Sequence, residues 1–167
     1  MWKMIEQHFR DSPAKLKVLR SFVELGLRVE ENGKVYLGDI EVPDTKIARA
    51  VGVDRRVVKE AVKAVLNNHS LKKIFKSLKP AGAMLRDVAP LLGYGVVEIR
   101  AKPDAVGIIA EASTLIAKEG ISIRQIIAED PELYPDPKLI IITDKPLPGD
   151  IISKFLKIPT VKQVTIS

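Results

Sequence analysis

KPDAVGIIAEASTLIAKEGISI, residues 102–123, is the stretch on which the fold turns. It follows a run of strand character, VVEIRA at 96–101, and leads into a β-branched run at 121–128. A Pro-Asp turn opens it. Asp104 stands where a side-chain oxygen can cap a helix, and Gly107 frees the backbone for close approach at the first helical turn. Ile108, Ile109, Ala112, Leu115 and Ile116 then share one face at helical spacing, which predicts a helix packed on a core. Gly120 fits the position just past the helix end, with Lys118 set against the negative pole of the last turn. Strand, turn, helix, glycine and strand make one βαβ unit.

Downstream, EDPELYPDP at 129–137 reads as a proline-rich loop and KLIIIT at 138–143 as an apolar strand. Pro148-Gly149 starts a helix over 150–157, and TVKQVTI at 160–166 alternates as a last strand with Val161, Val164 and Ile166. The order βαββαβ closes as a four-stranded sheet with two helices on one face. Asp104-Ala105-Val106-Gly107 followed by IIAEASTLIAKEGISI resembles the signature of ACT domains, small regulatory modules that bind amino acids. The likeness covers about residues 96–167; many such modules carry Pro where this chain has Val106. It implies a ferredoxin-like domain that pairs side by side as a homodimer. It also implies a small amino acid effector at Asp104, Ala105, Val106 and Gly107. Free N–H groups at a helix start suit the effector's carboxylate, and Asp104 suits its ammonium group.

A chain of 167 residues holds one medium domain or two small ones. Without Cys there is neither a disulfide framework nor a thiolate zinc site. Residues 1–25 are charged and interrupted by Pro13, and apolar runs are short, so a signal peptide and a membrane span are not expected. A cytoplasmic protein is. Charge divides unevenly. Residues 1–78 hold 16 Lys and Arg against 10 Asp and Glu, whereas residues 79–167 hold 11 against 11. The whole excess of +6 therefore lies in the first half, which points to a polyanion met by that half alone.

In that half, Trp2, Ile5 and Phe9 share one helical face. Ser12-Pro13 reads as a hydroxyl cap followed by Pro at the first helical position. The helix so started runs to Leu25 with Leu16, Leu19, Phe22 and Val23 inward, and stops at Gly26. Asn32-Gly33 lies between two short runs and predicts a hairpin with a type I′ turn, with a third run at 39–42. Next, Asp44 or Thr45 caps a short helix over 46–51. Gly52-Val53-Asp54 turns the chain, and a longer helix follows over 55–66.

Ala48 at a close approach, Gly52 in the turn and Val58 as an apolar anchor resemble a helix-turn-helix. In the second helix Val57, Val58, Ala61, Val62 and Val65 face inward, leaving Arg55, Arg56, Lys59, Glu60 and Lys63 outward. Such helices lie in the major groove of double-stranded DNA with their N-terminal residues at base edges. Arg55 and Arg56 are the candidate base readers, because guanidinium can grip guanine with two hydrogen bonds. Lys59 and Lys63 are candidates for phosphate, as are Lys46 and Arg49 from the first helix.

Residues 70–94 read as a connector with two helices, one capped by Ser70 and ended by Pro80, the other ended by Gly93. Gly93-Tyr94-Gly95 lacks the third glycine of a dinucleotide fingerprint and precedes a strand. His8 and His69 lie apart with no carboxylate at ligand spacing, and no Ser-His-Asp or Cys-His grouping is evident. No enzyme activity, cofactor or metal is expected. The fold expected is α+β. A helix-turn-helix domain with a β-hairpin spans 1–69, a helical connector 70–94, and a ferredoxin-like ACT-like domain 95–167. The function expected is amino-acid-responsive transcription regulation. The alternatives are a non-DNA-binding regulator that senses an amino acid and docks on a metabolic enzyme, and an ACT-like domain that only dimerises.

Overall fold

The computed structural model describes all residues, 1–167, which divide into two compact units, 1–82 and 83–167. No helix is long and apolar enough to cross a membrane. The chain is mixed α+β, with seven α-helices and two antiparallel sheets.

The first unit runs α1 (Trp2–His8), α2 (Pro13–Leu25), β1 (Leu27–Val29), β2 (Val35–Leu37), β3 (Ile40–Glu41), α3 (Asp44–Val51), α4 (Arg55–Asn67) and α5 (His69–Ser77). Trp2, Ile5 and Phe9 are buried, as their shared helical face requires. From α2 come Leu19 and Phe22, joined by Val18, which is not among the inward positions expected of that helix. Phe22 meets Phe75 of α5 edge-on at 6.3 Å between ring centroids. A three-stranded sheet, ordered β1-β2-β3, lies among these helices.

Local polar chemistry departs from expectation at several helix ends. Ser12 occupies the N-cap of α2, but its side chain makes no cap bond; its carbonyl accepts from the Leu16 N–H at 3.0 Å. Pro43, not Asp44 or Thr45, takes the cap position of α3, so Asp44 lies in the first turn and favours the helix through its charge. Asn68 replaces Ser70 as the cap of α5, its Oδ1 accepting from the N–H groups of Ser70 and Leu71 at 3.1 and 3.0 Å.

The hairpin turn is not type I′, because only Gly33, at φ 80°, has positive φ there. Instead the Glu30 carbonyl accepts from the Gly33 N–H, and the Lys34 carbonyl from the Glu30 N–H, both at 2.9 Å. This is a three-residue loop closed by a left-handed Gly, another turn that suits the strand twist. The Asn32 side chain secures it by accepting from the Lys34 N–H at 3.0 Å.

The second unit orders β4 (Gly95–Ala101), α6 (Ile108–Lys118), β5 (Ile123–Ala128), β6 (Lys138–Thr143), α7 (Ile151–Phe155) and β7 (Val161–Ile166). The strands form one sheet in the order β5-β6-β4-β7, with every neighbouring pair antiparallel. Val97, Ile99 and Ile141 pack on Ala112 and Ile116 of α6 and on Ile151 and Phe155 of α7. Across the sheet, Val96, Ile140 and Ile142 are covered by Ala89 with Leu85 and Tyr94.

The segment 83–94 is thus a strap on the sheet, and its expected helix is only a 3-10 turn at Pro90–Leu92. Pro90 lacks the N–H that a longer helix would need. The Gln125 side chain fastens the strap, donating to the Ala83 carbonyl at 2.8 Å and accepting from the Leu85 N–H at 3.0 Å. Around α6, Asp104 does not cap. It sits in a turn closed by the Ala105 N–H and the Lys102 carbonyl at 3.0 Å, and Gly107 is the N-cap. A Cβ at Gly107 would meet nothing within 4 Å, so that glycine answers to φ 91° and not to a close approach. Ile109 is 46% exposed, facing away from the core.

Two glycines in the first unit separate backbone strain from crowding. Gly26 ends α2 at φ 66°, and a Cβ there would lie 2.4 Å from the Lys79 carbonyl oxygen. Gly52 ends α3 at φ 72°, but its nearest neighbour would be the flexible Lys17 side chain, at 3.7 Å from Nζ. Gly52→Ala should therefore cost only the left-handed penalty of about 1–2 kcal/mol. Gly26→Ala adds a backbone clash and should lose roughly 2–5 kcal/mol in urea unfolding. Equal losses would show that residues 79–80 do not press on Gly26.

Candidate nucleic-acid interface and effector groove

The junction of α3 and α4 is built from three sequence features. The Ala48 carbonyl accepts from the N–H groups of Gly52 and Val53 at 2.9 and 3.0 Å, so α3 closes in a glycine-capped turn. Asp54 then starts α4, its Oδ1 accepting from the Arg56 N–H at 2.7 Å. On α4, Val58, Ala61, Val62 and Val65 are at most 4% exposed, and Val57 is half-buried. The opposite side carries Arg55, Arg56, Lys59 and Lys63, all exposed, and α3 exposes Lys46 and Arg49. The six predicted cations therefore stand on two consecutive helices of one unit. None of the six is taken up in an ion pair, and Glu60, the only carboxylate of α4, is paired with Lys15 of α2 at 3.1 Å.

The hairpin beside α4 is different. Lys34 is paired with Glu41 at 2.7 Å, which raises its pKa, first through that hydrogen bond. Arg28 is paired with Glu30 at 2.8 Å and lies over the Tyr36 ring at 5.0 Å. At the tip, Glu31 receives Lys76 at 3.2 Å and Lys72 at 3.4 Å, both from α5. The hydrogen bond from Lys76, then that from Lys72, holds the Glu31 carboxyl below its ordinary value of 4.5. A depressed carboxyl contributes its pairing above the unfolded value, and the contribution disappears as pH falls through the lower folded value.

In the second unit a groove of about 140 Å³ opens between the end of β4, the 102–105 turn, the start of α6 and the loop before β6. Lys102, Pro103, Ala105, Ile108 and Ile109 form one side, and Glu129 stands on the other. Of the four residues expected to hold an effector, only Ala105 lines this groove. Asp104 and Gly107 are exposed beside it, and Val106 is 96% exposed. Sequence reasoning missed Lys102, Pro103 and Glu129. The first two flank the quoted turn, but Glu129 is brought in only by strand pairing. No group of three or more His, Asp and Glu converges as a metal site.

No protein-family model matches the chain, and no curated protein matches it. Among solved structures it is similar to a transcriptional regulator from Neisseria meningitidis crystallised with L-methionine. The identity is 14%, the TM-score 0.26, and the match covers 92% of this chain and 86% of that one. A likeness at that level decides neither fold nor function.

The Glu31 contacts are open to direct titration. The Glu31 carboxyl, followed by carbon NMR, should titrate below 4.5, and the double variant Lys72→Gln, Lys76→Gln should return it to the ordinary range. An unshifted midpoint in the unaltered protein would mean that α5 does not hold the hairpin tip.

Proposed function

We propose that this chain is an amino-acid-responsive transcriptional regulator. The first unit is read as a helix-turn-helix module, with α4 entering the major groove of double-stranded DNA. The second is read as a ferredoxin-like, ACT-like module that pairs as a homodimer and holds a small amino acid. The division of labour follows the boundary at residues 82 and 83, on either side of which the expected connector's two halves are packed. No catalytic role is assigned.

One observation carries the reading: six exposed cations on α3 and α4 make no ion pair within the chain, around a helix start fixed by Asp54. Arg55 and Arg56, at that start, are assigned to base edges. Lys59, Lys63, Lys46 and Arg49 are assigned to the phosphate backbone, where they fix register without reading sequence. Val106, almost fully solvated, and Ile109 beside it supply an apolar rim that pairing would cover. The effector is assigned to Asp104, Ala105, Val106 and Gly107 and the adjoining groove. There the first turn of α6 has no side-chain cap and offers its N–H groups to a carboxylate. Pairing fixes the separation of two α4 helices, and an effector that alters pairing changes DNA affinity by a coupling of roughly 1–3 kcal/mol.

Two measurements test the two halves. Binding to a mixed-sequence duplex should weaken steeply with added salt, and Arg55→Glu with Arg56→Glu should abolish it. No binding even at low salt would favour docking on a protein partner instead. Thermal melting against each common amino acid should reveal one that stabilises the chain by about 2.7 kcal/mol at a hundred times its Kd. A flat screen would leave the second unit as a dimerisation module without an effector.

A further inference from the structure

The α5 helix has no role in the reading above, yet it carries Lys72, Lys73 and Lys76, with Lys79 just beyond. Its other face is spent on packing: Leu71 and Phe75 are 1% and 0% exposed. Lys73 and Lys79 are exposed and unpaired, while Lys72 and Lys76 share one carboxylate, that of Glu31. Two of these ammonium groups thus share a single acid, and the other two have none.

Glu31 also fixes where this row lies. With Asn32 and Gly33 it forms one wall of a groove of about 430 Å³, whose other wall includes Lys59 and Lys63 of α4. The same carboxylate therefore borders Lys59 and Lys63 of α4 and binds Lys72 and Lys76 of α5, and the two sets meet around the hairpin tip. Glu31 is 62% exposed, so its pairs are screened by water and ions and are easily exchanged.

We infer that α5 is a second phosphate-contacting row, continuous with the α4 surface, and that Glu31 is an exchangeable counter-ion occupying the place of a backbone phosphate. This inference rests on the DNA-binding reading of the first unit. On binding, phosphate oxygens replace the Glu31 carboxylate at Lys72 and Lys76, while Lys73 and Lys79 gain phosphate partners directly. The hairpin then acts as a local competitor that lowers non-specific affinity.

The test is the salt dependence of binding to a mixed-sequence duplex, measured for the full chain. Lys73→Gln with Lys79→Gln should reduce the slope of log affinity against log salt by roughly 0.9 for each phosphate left without its lysine. Glu31→Gln should tighten binding several-fold at low salt. Thermal melting of each variant checks that the fold is retained; all three positions are surface side chains. Lysine variants with an unchanged slope, or a Glu31→Gln variant with unchanged affinity, would overturn the inference while leaving DNA binding by Arg55 and Arg56 in place. Absence of duplex binding by the unaltered protein would instead remove the reading beneath it.

Discussion

The burial of one face of α4 is the constraint from which the first unit follows. RRVVKEAVKAVLN is rich in valine, whose branched side chain is stiff in a helix and gives that helix little intrinsic support. The helix is held by packing. Burying a valine contributes roughly 1.5–3 kcal/mol, and Val58, Val62 and Val65 are all buried beside Ala61. With that face committed to the interior, the helical period leaves the charged positions no inward direction. Exposure of Arg55, Arg56, Lys59 and Lys63 is therefore a consequence of core packing. A small residue, Ala48, and the left-handed Gly52 let α3 close its turn before α4 begins.

The second unit obeys a different rule, because its central strands bury apolar residues on both faces. In β4, Val96 and Val97 are both buried, and in β6 so are Ile140, Ile141 and Ile142. Strands of that kind need cover on each side. The helices α6 and α7 supply one layer, and the strap at 85–94 supplies the other over Val96, Ile140 and Ile142. The same logic explains why β5 and β7, at the edges, hold only half-buried or exposed residues. The part of the expected connector at 83–94 is too apolar for a free linker, and its apolar residues belong to the fold of the second unit.

Periodic burial is the legible part of the sequence, and non-local polar chemistry is not. The run of strand character at 96–101, the apolar run at 138–143 and the buried face of α4 follow from composition and regular spacing, which local sequence displays directly. Asp104 and Ser70 look like N-caps and are not, because a suitable residue near a helix start does not fix where the helix starts; Ser12 does hold the N-cap of α2, but makes no side-chain bond there. Residues one or two positions away take the place in α3 and α5, and Gly107 takes it in α6. The Asn32-Gly33 pair signals a turn, but loop length chooses its type. Glu31 and Lys76 lie 45 residues apart, and Glu129 reaches the groove beside Ala105 through sheet pairing; neither association has a local signature.

Net charge alone also conceals the feature that matters most in the first unit. The excess of +6 is a count, and a count is silent on which cations are already neutralised. The hairpin's cations are paired with carboxylates of the hairpin itself, whereas those on α3 and α4 are not. Exposed pairs add little stability, so supplying more of them would not have been a strong reason to place acids beside α4. Leaving like charges close together on two short helices, however, carries a repulsive cost that falls with salt or with an opposing surface. A cationic face of this kind is a worse solution for the isolated fold than a mixed one. It becomes favourable when an opposing anionic surface lies along it, which is the condition the proposed function would meet.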